Sequence, residues 1–262
     1  MSSYSTTRVA ARKHRGFWAG LGPSGFGIAV LALVLGAGAG FGSRWGWWHF
    51  RTGFAILEWA AYCGLAAAVL SLLGLAVGWR RSSTLWRVLA GIGIVVGLAV
   101  VGMPLSEIRI AKSVPAIHDI TTDTDHPPAF VAILPLRAHA DNPPEYGGAE
   151  VAAKQHQGYP QIVPLEAAAP PDKAFEAALA TARSLGWNIV AAEPAEGRIE
   201  ANETSFWFGF TDDVVVRVAA AGAGSRIDVR SESRVGRSDI GVNAHRIERF
   251  LVALKTRLGS SS

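Results

Sequence analysis

GSRIDVRSESRVGRSDIGVNAHRI, residues 224–247, is the stretch that decides the fold of the C-terminal half of this chain. Apolar and polar residues alternate from Arg226 to Arg234, as they do in a β-strand with one buried face. The following residues change to helical spacing. Ser238 or Asp239 can cap the start of that helix, because short polar side chains accept backbone N–H groups there. The run therefore predicts a strand that leads directly into a helix.

Four strands and two helices are predicted around this run. The strands are NIVAA at 188–192, RIEANETSFWF at 198–208, VVVRVAA at 214–220 and RIDVRSESR at 226–234. An amphipathic helix from Pro171 to about Gly186 precedes them. Short connections make the sheet antiparallel with both helices on one face, so the predicted fold class is α+β. AFVAILPL at 129–136 could add an edge strand, a position that tolerates Pro135.

Strand alternation places the apolar and charged residues of the last strand on opposite faces. The helix-covered face receives Ile227, Val229, Ser231 and Ser233, and the other face receives Arg226, Asp228, Arg230, Glu232 and Arg234. A solvated face with ion pairs is one interpretation. A recognition surface is the other, because a planar guanidinium suits a carboxylate or phosphate group. The candidate ligand- or partner-binding residues are Arg217, Arg226, Arg230, Arg234 and Arg237. The candidates for a structural motif at the corner before the last helix are Asp212, Asp213, Asp239, Asn243 and Arg246.

The N-terminal half differs from the rest of the chain in charge and hydropathy. Residues 1–112 contain 11 Lys and Arg against 2 Asp and Glu, a net charge of +9, whereas residues 113–262 contain 14 against 19, a net charge of −5. Apolar runs at about 21–42, 52–79 and 85–105 approach or exceed the ~20 helical residues that cross a bilayer core. A cleaved signal peptide is the alternative for the first run. The sequence predicts a membrane region at 1–112 with three transmembrane helices, an extended linker or wrapping segment at 113–169, and an α-β-β-β-β-α domain at 170–262.

Basic residues beside the spans predict the orientation, since short loops rich in Lys and Arg stay in the cytoplasm. One side carries Arg8, Arg12, Lys13, Arg15, Arg80, Arg81 and Arg87, and the other carries Arg44, Arg51, Arg109 and Lys112. This count predicts a multi-pass protein of the inner (cytoplasmic) membrane, with its N-terminus in the cytoplasm and its C-terminal domain outside it. These cations flank apolar runs and form no stripe with interleaved aromatic residues, so nucleic-acid binding is not expected.

The segment Ile117–Phe130, IHDITTDTDHPPAF, is a candidate metal site. Imidazole and carboxylate groups together suit several divalent ions. The candidate ligands are His118, Asp119, Asp123, Asp125 and His126. The alternative is a structural turn, because Asp and Thr side chains bond their own backbone and Pro127 and Pro128 stiffen the chain after them.

Motifs for catalysis are absent from the C-terminal sequence, which contains no P-loop, GxSxG, HExxH or GxGxxG pattern. The only cysteine, Cys63, lies in the second span and provides neither a disulfide framework nor a metal site. No cofactor is indicated. The leading hypothesis is a membrane-anchored binding or assembly module, whose partner is a membrane or periplasmic protein or an anionic ligand. The alternatives are a metal-assisted hydrolase using the Asp/His-rich segment and a transport-complex subunit that uses Glu58, an ionisable residue in the second span that could equally be an interfacial acid.

Three motifs resemble those of a known family. They are HDITTD at 118–123 with the two prolines that come after it, DDVVVRV at 212–218, and RIDVRSESRVGRSDIGVNAHRI at 226–247. Together they resemble the domain of unknown function 1499 family of bacteria and plastids, over roughly residues 114–258. The resemblance implies a domain of that extent and fits family members that carry a membrane region before it. It implies no established activity and no catalytic residues.

Overall fold

The computed structural model describes residues 4–80 and 83–259, and the side chains of these residues from Leu21 onward. The chain forms two compact units. One contains the N-terminal helices up to Ile108 together with Trp207–Gly209, and the other contains Arg109–Phe206 and the chain from Phe210. Arg81 and the side chains of four other basic residues used for the orientation lie outside the described residues: Arg8, Arg12, Lys13 and Arg15.

Three long helices make up most of the first unit: α1 (Tyr4–Arg44), α2 (Phe50–Gly78) and α3 (Thr84–Ser113). Each includes a stretch that is long and apolar enough to cross a membrane, which confirms the three long apolar helices that the sequence predicts. Small residues lie at the contacts between the helices. An added Cβ on Gly64 would lie 2.8 Å from the carbonyl oxygen of Gly97, so only glycine allows this close approach. Larger residues such as Leu72 and Val95 point outward, as they do in helices surrounded by lipid.

An antiparallel sheet forms the centre of the second unit, which confirms the α+β fold class. Its strands are β1 (Asp119–Thr121), β2 (Leu165–Ala167), β3 (Asn188–Glu193), β4 (Arg198–Thr204), β5 (Thr211–Ala221) and β6 (Gly224–Ser233). Their order is β1-β6-β5-β4-β3, and β2 also pairs with β6. The four predicted strands are β3 to β6. The run AFVAILPL forms no strand, because a 3-10 helix occupies Leu134–Arg137.

Helices α5 (Pro171–Ser184) and α6 (Val242–Gly259) cover one face of the sheet, and a shorter helix, α4 (Gly148–Gly158), precedes β2. Trp187 stacks on Phe250 in the core between the helices and the sheet, with ring centroids 5.0 Å apart. The carboxylate of Asp239 accepts the backbone N–H groups of Gly241 at 2.9 Å and Asn243 at 2.6 Å. Asp239 therefore caps α6, as the sequence predicts.

The centre of the opposite face of the sheet is covered, so the interpretation of this face as solvated is wrong for its central residues. Arg230 is 2% exposed and Glu232 is 1% exposed. The physical reason is that the segment between β1 and α4, residues 122–147 and called here the covering segment, lies over them. It is fixed by hydrogen bonds from the backbone of Val131, Ala132 and Ile133 to the side chain of Glu200. The expected extended linker at 113–169 thus contributes β1, β2 and α4 to the second unit, which starts at Arg109.

Candidate functional site

Arginine and carboxylate side chains form two groups on the covered face of the sheet. The inner network is enclosed beneath the covering segment and consists of Arg137, Arg230, Arg234, Asp119, Asp213 and Glu232. The rim cluster is partly exposed and consists of Arg217, Arg226, Asp123 and Asp228. Alternation along β5 and β6 brings the arginines to this one face, because side chains two residues apart point the same way.

Arg230 lies at the centre of the inner network. Its Nε and Nη2 atoms donate to the two carboxylate oxygens of Asp119 at 2.9 and 2.8 Å, and Nη2 also donates to the Pro144 carbonyl oxygen at 2.9 Å. The guanidinium lies 4.7 Å from the centroid of the Phe130 ring. This two-pronged ion pair is desolvated, so Arg230 supplies the counter-charge and hydrogen bonds that the buried Asp119 carboxylate cannot obtain from water.

Asp213 joins the two remaining arginines of the inner network. It accepts hydrogen bonds from Arg137 Nη1 at 2.7 Å and from Arg234 Nε and Nη2 at 2.9 and 2.7 Å. Arg137 Nη2 also lies 2.9 Å from Glu232 Oε1, an ion pair without hydrogen-bond geometry. Arg137 therefore connects Asp213 with Glu232 across neighbouring strands, since Asp213 and Glu232 are paired in register.

Glu232 is the titratable group that this environment perturbs most clearly. Burial raises the pKa of its carboxyl to about 8, and the nearby Asp119 carboxylate raises it further, while Arg137 and Arg230 oppose the change only in part. Burial also raises the pKa of Asp119, against the effect of Arg230. The crowding of three carboxyl groups around these arginines thus favours a proton on Glu232.

Glu200 fixes the covering segment to the sheet, a role that no pattern in the sequence indicates. Its carboxylate accepts the backbone N–H groups of Val131 at 3.0 Å and of Ala132 and Ile133 at 2.9 Å. It also pairs with Arg198 on the same strand. The polar side of β4 is visible in the alternation, but the partners lie 67 to 69 positions away along the chain. No local pattern reports such contacts.

The rim cluster joins two strands and one loop. Arg217 Nη2 donates to Asp228 at 2.8 Å and to Asp123 at 3.0 Å, and Arg226 Nη2 donates to the same Asp123 oxygen at 3.0 Å. The arginine side chains are 33% and 39% exposed. Burial opposes ionisation of Asp123, but the His126 backbone N–H and the guanidinium groups of Arg226 and Arg217 outweigh it and lower its pKa. The loop carboxylate therefore stays charged and holds both arginines in place.

The predicted metal ligands are not brought together. Asp119 faces Arg230, Asp123 faces the rim arginines, and Asp125 and His126 are exposed on the turn that Asp123 caps. Among the side chains that the structure describes, residues 21–80 and 83–259, no group of three or more His, Cys, Asp and Glu is arranged to hold a metal ion.

Of the predicted structural motif, Asp212, Asn243 and Arg246 form a buried cluster at the start of α6, and Asp239 caps that helix. Asp213 belongs instead to the inner network on the other face of the sheet. Arg246 donates to Asp212 at 2.7 Å and to Ser231 Oγ at 3.0 Å, and Ser231 Oγ donates to Asn243 Oδ1 at 2.6 Å. Glu203 also accepts a bond from Arg246, at 2.7 Å, although the sequence does not single it out. These contacts connect β4, β5, β6 and α6.

Two further candidates lie apart from both groups. Arg237 is exposed in the turn between β6 and α6 and forms no ion pair with any described residue. In α2, the Tyr62 hydroxyl donates to Glu58 Oε1 at 2.9 Å, so the acid in this span bonds within its own helix.

Two solved structures and one family model are similar to part of this chain. Protein CV1439 from Chromobacterium violaceum is similar at 14% identity, with 37% of this chain and 94% of that chain covered and a TM-score of 0.28. TTHA0849 from Thermus thermophilus is similar at 13% identity, with 38% and 97% covered and a TM-score of 0.25. No curated protein matches the chain. The model of one family, described as "Protein of unknown function (DUF1499)", matches residues 119–254, and the chain belongs to this family.

Proposed function

We propose that the protein is a membrane-anchored binding or assembly module, and that its rim cluster engages a carboxylate or phosphate group of a partner or ligand. The observation that carries this proposal is the state of Arg217 and Arg226. Both are partly exposed, and both are held by Asp123 and Asp228. Arg230 and Arg234, in contrast, are occupied by contacts inside the domain.

The geometry of the rim cluster favours recognition of an anionic group by directed hydrogen bonds over attraction by net charge. Asp123 and Asp228 balance the two arginines in charge, so long-range attraction of a polyanion is weak. Arg226 keeps its Nη1 donors without a hydrogen bond to any described residue. A guanidinium whose remaining donors point outward from a fixed plane binds a carboxylate or phosphate group with little loss of side-chain freedom.

The double variant R217A/R226A is expected to lose the bound species. Crosslinking the full chain in native membranes, followed by mass spectrometry, would show about tenfold or more less captured partner, which corresponds to at least ~1.4 kcal/mol of binding free energy. The matched control is Arg183→Ala, which removes an exposed arginine from α5 on the other face of the sheet. Equal capture by R217A/R226A and R183A would contradict the proposal, provided that hydrogen exchange shows both variants folded.

We further propose that the chain is a multi-pass protein of the inner membrane, with the N-terminus in the cytoplasm and the domain on the opposite side. The support is the excess of basic residues beside one end of the spans. A fusion of alkaline phosphatase, which is active only outside the cytoplasm, after Ser262 is expected to be active. A fluorescent reporter that matures only in the cytoplasm is expected to stay dark at the same position. The reverse pair of results would overturn this orientation.

A further inference from the structure

The loop between β4 and β5 is unusually aromatic. Its six residues, Ser205–Phe210 with the sequence SFWFGF, are called here the aromatic tip. The backbone N–H of Ser205 donates to the Phe210 carbonyl oxygen at 2.7 Å, and the backbone N–H of Phe210 donates to Ser205 Oγ at 2.9 Å. These bonds close the loop into an ordered turn, so its rings are presented in a fixed arrangement.

Phe206 has 78% of its surface exposed. Leaving such a ring in water forgoes about 1.5–3 kcal/mol of the stabilisation that burial would supply. The next three residues, Trp207–Gly209, belong to the same compact unit as the three apolar helices. Within that unit, Trp207 Nε1 donates to the Ala37 carbonyl oxygen at 3.2 Å. Along the chain, the exposed ring of Phe206 thus directly precedes three residues that belong to the unit of apolar helices.

Apolar side chains of the covering segment extend this surface. Leu134 and Leu136 are both exposed, whereas Ile133, which precedes them in the chain, is buried. The carbonyl oxygen of Leu136 accepts a bond from Arg234 Nη1 at 2.8 Å, and the Arg234 backbone N–H donates to the carbonyl oxygen of Thr211 at 3.1 Å. Since Thr211 is the first residue of β5, these contacts fix the leucines beside the base of the aromatic tip.

The chain itself keeps a bilayer within reach of this surface. Helix α3 ends at Ser113 and β1 begins at Asp119. The intervening residues 114–118 can span at most about 18 Å when fully extended. The link that follows the last apolar helix is thus short, and lipid around such helices is an apolar phase to which the chain connects this surface.

We propose that the aromatic tip is a second membrane contact, in which Phe206 enters the boundary between lipid headgroups and acyl chains. Trp and Phe rings are favoured at that level because an apolar ring surface can leave water there while the backbone of the loop stays hydrated. The hydroxyl groups of Thr204 and Thr211, which bond each other at 2.9 Å at the base of the tip, are suited to the headgroup layer. The domain is then held by both its tether and its hairpin.

The test places an environment-sensitive nitrobenzoxadiazole label at position 206. Cys63 is first changed to alanine, and single cysteines are then introduced as Phe206→Cys or, for comparison, Val252→Cys, a residue of α6 that is 67% exposed. The full chain is reconstituted in nanodiscs of phosphatidylcholine and phosphatidylglycerol. Lipids with a nitroxide near the headgroup are expected to quench the label at 206 at least about twofold more than at 252, and aqueous iodide is expected to show the reverse order.

Two results would overturn the proposal. One is equal quenching by iodide at both positions, which would place Phe206 in water. The other is protection of position 206 from both quenchers, which would mean that protein, and not lipid, covers the ring. If Phe206→Cys does not fold, the same label at Leu136→Cys decides between these outcomes, because Leu136 is exposed and is linked through Arg234 to Thr211 at the base of the tip.

Discussion

Replacement of Arg230 by alanine is expected to lower the free energy of unfolding of the C-terminal domain by about 3–5 kcal/mol, because it leaves a buried carboxylate without its counter-charge. That carboxylate is Asp119, which binds both Nε and Nη2 of Arg230 in the enclosed network. Hydrogen exchange of the β5 and β6 amides, in the full chain held in nanodiscs, measures the change directly.

Arg226→Ala is the matched control, since it removes the same side chain from the same face of the same strand. Its guanidinium is 39% exposed, so the expected loss is below ~1 kcal/mol. Changing Arg230 to methionine together with Asp119 to leucine should recover much of the stability, because an apolar pair of similar volume can replace a buried ion pair. A loss for Arg230→Ala no larger than that for Arg226→Ala would show that Asp119 finds water or another partner.

Glu232→Gln is expected to change how stability depends on pH. The folded-state pKa of about 8 lies above the ordinary value of 4.5, so the folded state binds the proton more tightly than the unfolded state does. The stabilisation associated with this proton is complete below pH 4.5 and is lost as the pH rises through 8. Glutamine imitates the protonated acid at every pH. The variant should therefore nearly match the natural protein at about pH 5 and exceed it by up to about 5 kcal/mol at about pH 9, since the pKa rises from 4.5 to about 8 and each pKa unit corresponds to about 1.4 kcal/mol.

The same exchange measurement, repeated between about pH 5 and pH 9 with correction for intrinsic exchange rates, tests this difference. Glu166→Gln removes an exposed carboxyl from β2 and controls for the change in net charge. Stability curves for Glu232→Gln and the natural protein that stay parallel over the whole range would mean that Glu232 is ionised throughout.

Much of the fold could be predicted because its signals are local. Alternation in β6 correctly assigned Ile227 and Val229 to the core, and Asp239 was recognisable as a helix cap. The solvated face was predicted because arginine and glutamate are usually exposed. That expectation failed at Arg230, where a segment without periodicity supplies Asp119, 111 positions away, and two backbone carbonyl oxygens. Such contacts depend on tertiary structure and leave no spacing pattern in the sequence.

The residue types of the candidate site could be predicted, but their separation into an inner network and a rim cluster could not. Arginines on one face of β5 and β6 were identified from alternation alone, and Arg217 and Arg226 do reach the surface. Nothing in the alternation separates them from Arg230 and Arg234, because all four occupy equivalent positions on their strands. What separates them is the path of the covering segment. It bonds Arg230 and Arg234 through the backbone of Pro128, Leu136 and Pro144, but it reaches Arg217 and Arg226 only through Asp123 and His126.

The edge of β6 that faces away from β5 pairs with β1 and β2, and this pairing has a consequence for solubility. β1 pairs with residues 230–232 and β2 with residues 225–227, and Thr122 exchanges hydrogen bonds with the backbone of Val229 in the gap between them. The longer edge of the sheet is thus closed by two short pieces of the same chain. A fragment that begins at Pro171 would lack both pieces and would offer ten residues of unpaired strand to a neighbouring copy, a known route to aggregation. The region before Pro171 therefore protects the outer edge of β6 from pairing with another copy.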